Sequence, residues 1–483
     1  MSSNHEPALQ SLRAVDSGYS VSSVVDVLAA PENRHLLDYV AEDPFGAHVF
    51  PGNVLGYPPE RFLADLDEQL ADCGPIHLWS YIPTCAYRCR FCQYPVVLIK
   101  GEPEAVGQKA AEWADLNVRE ATLWLERVPN LRTVPIGEFN VFGGTPSLLP
   151  KQAIARLLGF YTSSFNFTPD TTIRFEGDPS TLTRELLEFL AEQGCTKVSC
   201  GVQSFDDAVL QQSGRQHTAE MCFEFIRNAQ EVGFEWISID LIYGLLDQTV
   251  LSVKQDLGHV VATGVTAVVC TKLHLKSYHD TRTGVAGERP APWQISSYRD
   301  RLATSGHHWP TLGEQYQMRE VLSQGLNRHG YVEHPTMYFA QSGRGSERWK
   351  AIMVDQDKQE PEVGIGLGGS SSCRSSEAIT NVSWKRYVDA VKAGVVPLGS
   401  ATRFDDRGRE ARAIKMALST CRPVSDLIHQ QRFPGRSLFA EPWGSKFRDL
   451  HRRGLCTIDY RERAVLLTAE GKTLVEAIIN TEL

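Results

Sequence analysis

Cys85, Cys89 and Cys92 stand at Cys-x3-Cys-x2-Cys spacing, directly after a strand-like run, Ile76-His-Leu-Trp-Ser-Tyr-Ile-Pro83. Three thiolates this close in sequence can hold three corners of a [4Fe–4S] cube and leave the fourth iron without a protein ligand. An open iron can do chemistry on a bound molecule, beyond passing electrons. A closed zinc site would need a fourth ligand. Only His77 is near in sequence, and no second Cys-x2-Cys is present, so the cluster is the stronger reading.

The elements that must position this loop follow from the pattern around it. From Ile76 to about Lys276 strand and helix signals alternate at βα spacing, the mark of a parallel sheet. The expected strands are 76–83, Glu138–Phe142, Thr171–Glu176, Lys197–Gln203, Trp236–Ile242 and Val265–Cys270. Between two of them, a helix begins after Thr183 and is stopped by Gly194. Six such units predict an α/β fold, a partial (β/α)6 barrel. Parallel βα architectures gather functional side chains at the carboxyl ends of the strands. The cysteine loop, Gly143-Gly-Thr-Pro146, Glu176 and Gln203 all fall there, and Asp240 interrupts an otherwise apolar fifth strand.

Around this core (76–310) the sequence suggests an N-terminal extension over 1–75, packed on the main domain. A further unit over 311–400 carries the glycine-rich Gly364–Ser372, which could approach a ligand by its backbone. The last unit, 401–483, resembles a winged-helix-type α+β module with a strand pair at Leu455–Tyr460 and Ala464–Thr468. The stretch 277–310 reads as a long loop, the length of a functional lid or a disordered segment. The chain has 483 residues, 42% of them hydrophobic, and 49 Lys and Arg against 58 Asp and Glu, a net charge of −9. That balance argues against a nucleic-acid scaffold or an anionic membrane surface. No apolar run approaches the ~20 residues of a membrane span, and the N-terminus lacks a signal-peptide pattern. Eleven cysteines, scattered apart from the one cluster, are no disulfide framework. The expected setting is a reducing cytoplasm, with a small-molecule substrate and no nucleic-acid or membrane partner.

Four further motifs follow the cysteines in order: Phe142-Gly-Gly-Thr-Pro-Ser147, Gly201-Val-Gln-Ser-Phe-Asp-Asp207, Gly214-Arg-Gln-His-Thr218 and Ile239-Asp-Leu-Ile-Tyr-Gly-Leu245. Together they resemble the coproporphyrinogen-oxidase-like (HemN-like) subgroup of the radical S-adenosylmethionine (SAM) superfamily, from about Leu78 to the C-terminus. The resemblance implies that the amino and carboxylate groups of one SAM chelate the open iron, with a second SAM stacked in the barrel. It also implies a reducing partner such as flavodoxin or ferredoxin. Gly143, Gly144 and Thr145 would then meet the methionine part of the first SAM, Glu176 its ribose or amino group, and Phe91 would lie near the adenine. Gln203, Arg215 and Asp240 would hold the second.

The departures from that pattern shape the functional expectation. Coproporphyrinogen oxidases of this type carry a fourth cysteine where this chain has Tyr94. Trp79-Ser-Tyr-Ile-Pro-Thr-Cys85 replaces Tyr-x-His-Ile-Pro-Phe-Cys, the triple glycine is shortened at 142–146, and Thr271–Lys276 differs as well. A scaffold that keeps the two-SAM determinants but changes the substrate surroundings is similar to class C radical SAM methyltransferases and cyclopropanases. The first expectation is therefore transfer of a methyl or methylene carbon to an sp² carbon of an aromatic or conjugated substrate. The alternatives are oxygen-independent decarboxylation of a coproporphyrinogen-type substrate, anaerobic haem modification, or a haem chaperone. Tyr94, Tyr278, His274 and His334 are candidates for managing a proton, although such residues are more often structural, and no catalytic base is assigned. Lys272, Lys276 and Arg282 could neutralise a substrate carboxylate.

Overall fold

The computed structural model describes residues 22–42, 53–54, 56–275, 290–333, 335–342 and 361–483. Tyr278, His334, Lys276 and Arg282 lie outside them. Six parallel strands run in chain order: β1 (Ile76–Ile82), β2 (Pro135–Gly143), β3 (Asn166–Gly177), β4 (Lys197–Gln203), β5 (Trp236–Tyr243) and β6 (Ala267–Lys272). This is the expected partial (β/α)6 barrel. Beyond β6 the sheet continues with an antiparallel hairpin, β7 (Tyr331–Glu333) and β8 (Tyr338–Gln341). On the other side β9 (Glu362–Gly366) adds parallel to β1. The glycine-rich segment is thus a tight hairpin, the end of β9 turning into the strand Ser370–Ser372, and a Cβ at Gly366 would meet the Tyr81 carbonyl at 2.3 Å. Its close backbone approach is to β1.

Helices α1 (Pro103–Arg127), α2 (Lys151–Ser164), α3 (Arg184–Glu192), α4 (Ala219–Val232) and α5 (Val250–Thr263) return the chain between strands. Thr183 caps α3 by accepting the Leu186 N–H, as its place before the apolar run implies. The strands alternate between two faces, apart from irregularities at Ile76/His77, Ile136/Glu138 and Gly201/Gln203. On β3, Ile173 and Phe175 join the core under the helices, while Thr172, Arg174 and Glu176 point the other way. Trp124, Phe139, Tyr161, Phe175 and Phe225 are fully buried in that core. Each contributes on the order of 2–3 kcal/mol of apolar burial. The inward row is polar and aromatic: His77, Trp79 and Tyr81 on β1, Glu138, Asn140 and Phe142 on β2. The apolar outer row holds the barrel together; the inner row is left for chemistry.

Residues 290–310, expected as loop, contain a buried turn at Pro292–Gln294 and a helix over Ser296–Thr304. At the C-terminus a three-stranded antiparallel sheet, ordered Val424–Ser425, Ala464–Leu467, Cys456–Asp459, packs with helices Asp406–Ser419 and Trp443–Arg452. The N-terminal segment differs from expectation. Helices Ser22–Ala29 and Arg34–Glu42 bury Val24, Val25, Leu28, Leu36 and Leu37 against Ile414, Leu418 and Ile478 of the C-terminal unit. Among the described residues of this segment, Tyr57, Cys73 and the helix Pro59–Leu70 pack on the barrel core, the helix through Phe62, Leu66 and Leu70. Periodicity reveals an apolar face but not what covers it. Leu36→Ala should therefore destabilise the C-terminal unit by about 2–5 kcal/mol, read as earlier denaturant unfolding of that unit while the barrel transition stays put. Among the described residues no helix is long and apolar enough to cross a membrane.

Candidate active site at the barrel mouth

β1 ends at Ile82, and the cysteine loop that follows is fixed at several backbone points. Thr84–Cys85 pairs with Val97–Leu98. The Arg90 N–H donates to Ser213 O at 2.9 Å, and the Trp293 N–H donates to Arg90 O at 3.0 Å. Cys85 Sγ receives the Thr145 hydroxyl at 3.5 Å, and Cys89 Sγ receives Arg215 Nη1 at 3.2 Å. All three thiols are half-buried. Burial pushes Cys85 up to about 12 and Cys92 to about 11, so iron must displace their protons on binding. Among the described residues no group of three His, Cys, Asp or Glu is drawn together as a single-ion site. Three corners of a cube need their sulfurs held apart, and soft thiolates with hydrogen bonds already aimed at two of them fit an iron–sulfur cluster. Phe91 packs against Trp293, centroids 6.2 Å apart, so its ring is part of the wall that holds the loop.

The Gly143–Thr145 segment lies directly on the end of β1. Gly144 N–H donates to Ile82 O at 2.8 Å and Thr145 N–H to Thr84 O at 2.7 Å. A Cβ at Gly144 would stand 2.5 Å from Thr84 O, so only glycine admits this contact. Arg215 is more heavily committed than its place in the sequence suggests. Besides Cys89 it donates to Asp178 Oδ2 (2.8 Å), Gly201 O (2.6 Å) and His217 Nδ1 (3.3 Å), leaving one of five N–H groups for a ligand. Asp178, which the sequence reading passed over, organises this corner. It also accepts the Tyr87 hydroxyl at 2.5 Å. Burial would raise its carboxyl, but the neighbouring His217 and the Arg215 guanidinium hold it well below the usual range. Its signal was present in Glu176-Gly-Asp178, two carboxylates at one strand end.

Glu176 and Asp240 have no hydrogen-bond or ion-pair partner among the described residues. Burial pushes Glu176 up to about 8, helped by the Asp240 charge, and Asp240 up to about 6. Gln203 takes a left-handed backbone, φ 71°. Its Nε2 folds back over Gly201, and its buried Oε1 is unpartnered among the described residues. Tyr94 and Tyr338 keep 56% and 37% of their surface accessible, while the Tyr94 hydroxyl feels the Glu176 charge. Exposed ring surface therefore stands at the same end of the barrel as these carboxylates. Trp79, Tyr81 and Phe142 form an aromatic wall, with centroids 5.0 and 4.3 Å from Phe142. His274 contributes its carbonyl to Gln93 at 2.9 Å. The structure thus gathers the cysteines, Thr145, Glu176, Gln203, Arg215 and Asp240 at one end of the barrel.

Residues 79–257 match the model of the Radical SAM superfamily. The chain is 26% identical to the heme chaperone HemW of Bacillus subtilis over 397 residues, 82% of this chain and 96% of that protein. It is 32% identical to HemW of Lactococcus lactis over 296 residues, 61% of this chain and 69% of the relative. The structure of coproporphyrinogen III oxidase (HemN) from Escherichia coli superposes with a TM-score of 0.73 at 20% identity, covering 90% of this chain and 97% of that one. These findings overturn the expectation of methyl or methylene transfer, for the relatives matched along two thirds or more of their length are named haem chaperones or coproporphyrinogen III oxidase. The changed substrate surroundings reported a departure from coproporphyrinogen oxidases, and the direction of that departure was misread. The chain belongs to the HemN-like family of radical SAM proteins, which use a [4Fe–4S] cluster and S-adenosylmethionine.

Proposed function

We propose that the protein is a haem-binding radical SAM protein of the chaperone type, with haem held at the barrel mouth. The observation that carries the reading is the relationship along 96% of the Bacillus haem chaperone. Two features of the site support it. Tyr94 occupies the place of the oxidases' fourth cysteine, and Trp79, Tyr81, Phe142, Tyr94 and Tyr338 offer ring faces to a flat conjugated ligand. Cys85, Cys89 and Cys92 hold the cluster. Once bound there, the cluster would supply the electron for reductive cleavage of the SAM sulfonium. Arg215 keeps a positive charge at Cys89 Sγ, favouring the reduced state, and Asp178 fixes the guanidinium in place. Glu176, Gln203 and Asp240 present acceptors for the hydroxyl and ammonium groups of SAM. Burial raises both the Glu176 and the Asp240 carboxyls, and a cationic ligand beside them would draw both toward ionisation.

The test is titration of haemin into the anaerobically reconstituted protein with SAM present, followed by haem absorption. Saturation at one haem per chain, with haem retained through gel filtration, is expected. Failure to retain haem, together with conversion of coproporphyrinogen to decarboxylated product plus 5′-deoxyadenosine and methionine, would replace this reading by the oxidase one.

A further inference from the structure

Below the carboxylates of the mouth, the inward row of the barrel carries an arginine that the roles above leave unused. Arg174 lies on β3 two residues before Glu176, between Asn140 of β2 in register beside it and the interior of the barrel. Its Nε donates to Asn140 Oδ1 at 2.6 Å. Its guanidinium carbon sits 5.4 Å from the centre of the Trp79 ring. Glu138 stands behind it, 3.9 Å from Nε, and that carboxylate is already paired with Lys197. Nε, the stem and one face of the guanidinium are therefore spoken for. Among the described residues the terminal nitrogens Nη1 and Nη2 have no hydrogen-bond or ion-pair partner, and 15% of the side chain remains accessible.

The surroundings repeat the same polarity. Asn140, fully buried, turns its Oδ1 to Arg174 and leaves Nδ2–H unpartnered, and the buried indole Nε1–H of Trp79 is likewise unpartnered among the described residues. Trp79, Asn140 and Arg174 are consecutive in register across β1, β2 and β3. Three neighbouring groups on three strands thus offer donors and no free acceptor. Leaving buried donors empty costs free energy, so the site is complementary to a ligand that brings acceptors and negative charge. The paired terminal nitrogens of an arginine match the two oxygens of a carboxylate. Glu176 and Asp240 also feel the Arg174 charge, so the guanidinium stands near the two carboxylates of the mouth. Asn140 acts as a positioning residue, because its bond to Nε aims the fork.

We propose that Arg174, aimed by Asn140 and backed by Trp79, anchors a ligand carboxylate at the floor of the barrel cavity. A carboxylate could come from two sources there, a propionate of a tetrapyrrole or the methionine end of a SAM molecule. The first of these rests on the haem reading.

The experiment uses full-length reconstituted protein, wild type, Arg174→Met and Arg174→Lys, and two pairs of probes that differ in the carboxylate: haemin against its dimethyl ester, and SAM against decarboxylated SAM. In one pair, Arg174→Met should weaken the acid roughly 10- to 100-fold and leave the partner lacking the carboxylate within about twofold. Arg174→Lys, which keeps the charge beside Glu138 but not the fork, should fall between. The pair that responds identifies the source. If the acid and its counterpart change equally in both pairs, or neither changes, the anchor is wrong. If wild type binds neither haemin nor its ester, the haem reading fails and the SAM pair alone decides the anchor. Should Arg174→Met not fold, the lysine variant carries the same comparison.

Discussion

Cys89→Ala should yield a folded protein that cannot assemble a four-iron cluster and whose cleavage of SAM falls to background. The residue lies on a loop with its thiol half-buried, so little packing is lost with the sulfur. What disappears is one corner of the cube, together with the acceptor for Arg215 Nη1. Two thiolates cannot hold three irons, and without a bound cube no open iron remains for SAM. Iron and acid-labile sulfide per chain, with 5′-deoxyadenosine measured under strong reductant, check the result. Cys222→Ala is the contrast. That thiol is buried in the barrel core, so the substitution should cost stability and leave the iron content unchanged. Full iron in the Cys89 variant would remove the basis of the proposed cluster site.

Lys197→Met is expected to produce the largest loss of stability, about 3–5 kcal/mol at pH 7. Lys197 and Glu138 form an ion pair inside the barrel, both almost fully buried, with Thr172 donating to Glu138 at 3.2 Å. Burial by itself would raise the Glu138 carboxyl. The charges of Lys197, Arg174 and His77 outweigh it and hold the group down at about 2. A carboxyl depressed from 4.5 to about 2 contributes stability that is fully present above pH 4.5 and is lost as pH falls toward 2. Removing Lys197 takes away the largest opposing charge, so burial counts for more and ionised Glu138 becomes a burden at neutral pH. Denaturant unfolding as a function of pH should then show the gap between wild type and variant closing as acid is added. A gap that stays constant from pH 7 to 3 would mean that the pair does not set this dependence.

The Cys85–Cys92 spacing was legible without a structure because cluster ligation is local: one short loop can supply three corners. The six strands were legible too, since apolar residues at every second position must face the helices, as Ile173 and Phe175 do. Their ends were less so. β2 and β3 extend beyond the expected runs, because hydrogen-bonding to neighbouring strands carries the ladder past the apolar pattern. Asp178 escaped notice because its partners, Tyr87, Arg215 and His217, come from separate parts of the chain.

The sequence by itself determined where a cluster could sit, which fold would carry it and which strand ends would face the site, because spacing and alternation are short-range properties. Only the folded chain showed that the N-terminal helices complete the C-terminal core, that Arg215 is spent on Cys89 and Asp178, and that the Arg174 fork has no partner among the described residues. Each of these depends on which distant segments meet. A linear pattern records what a residue can bond to, and the folded chain selects which partner reaches it.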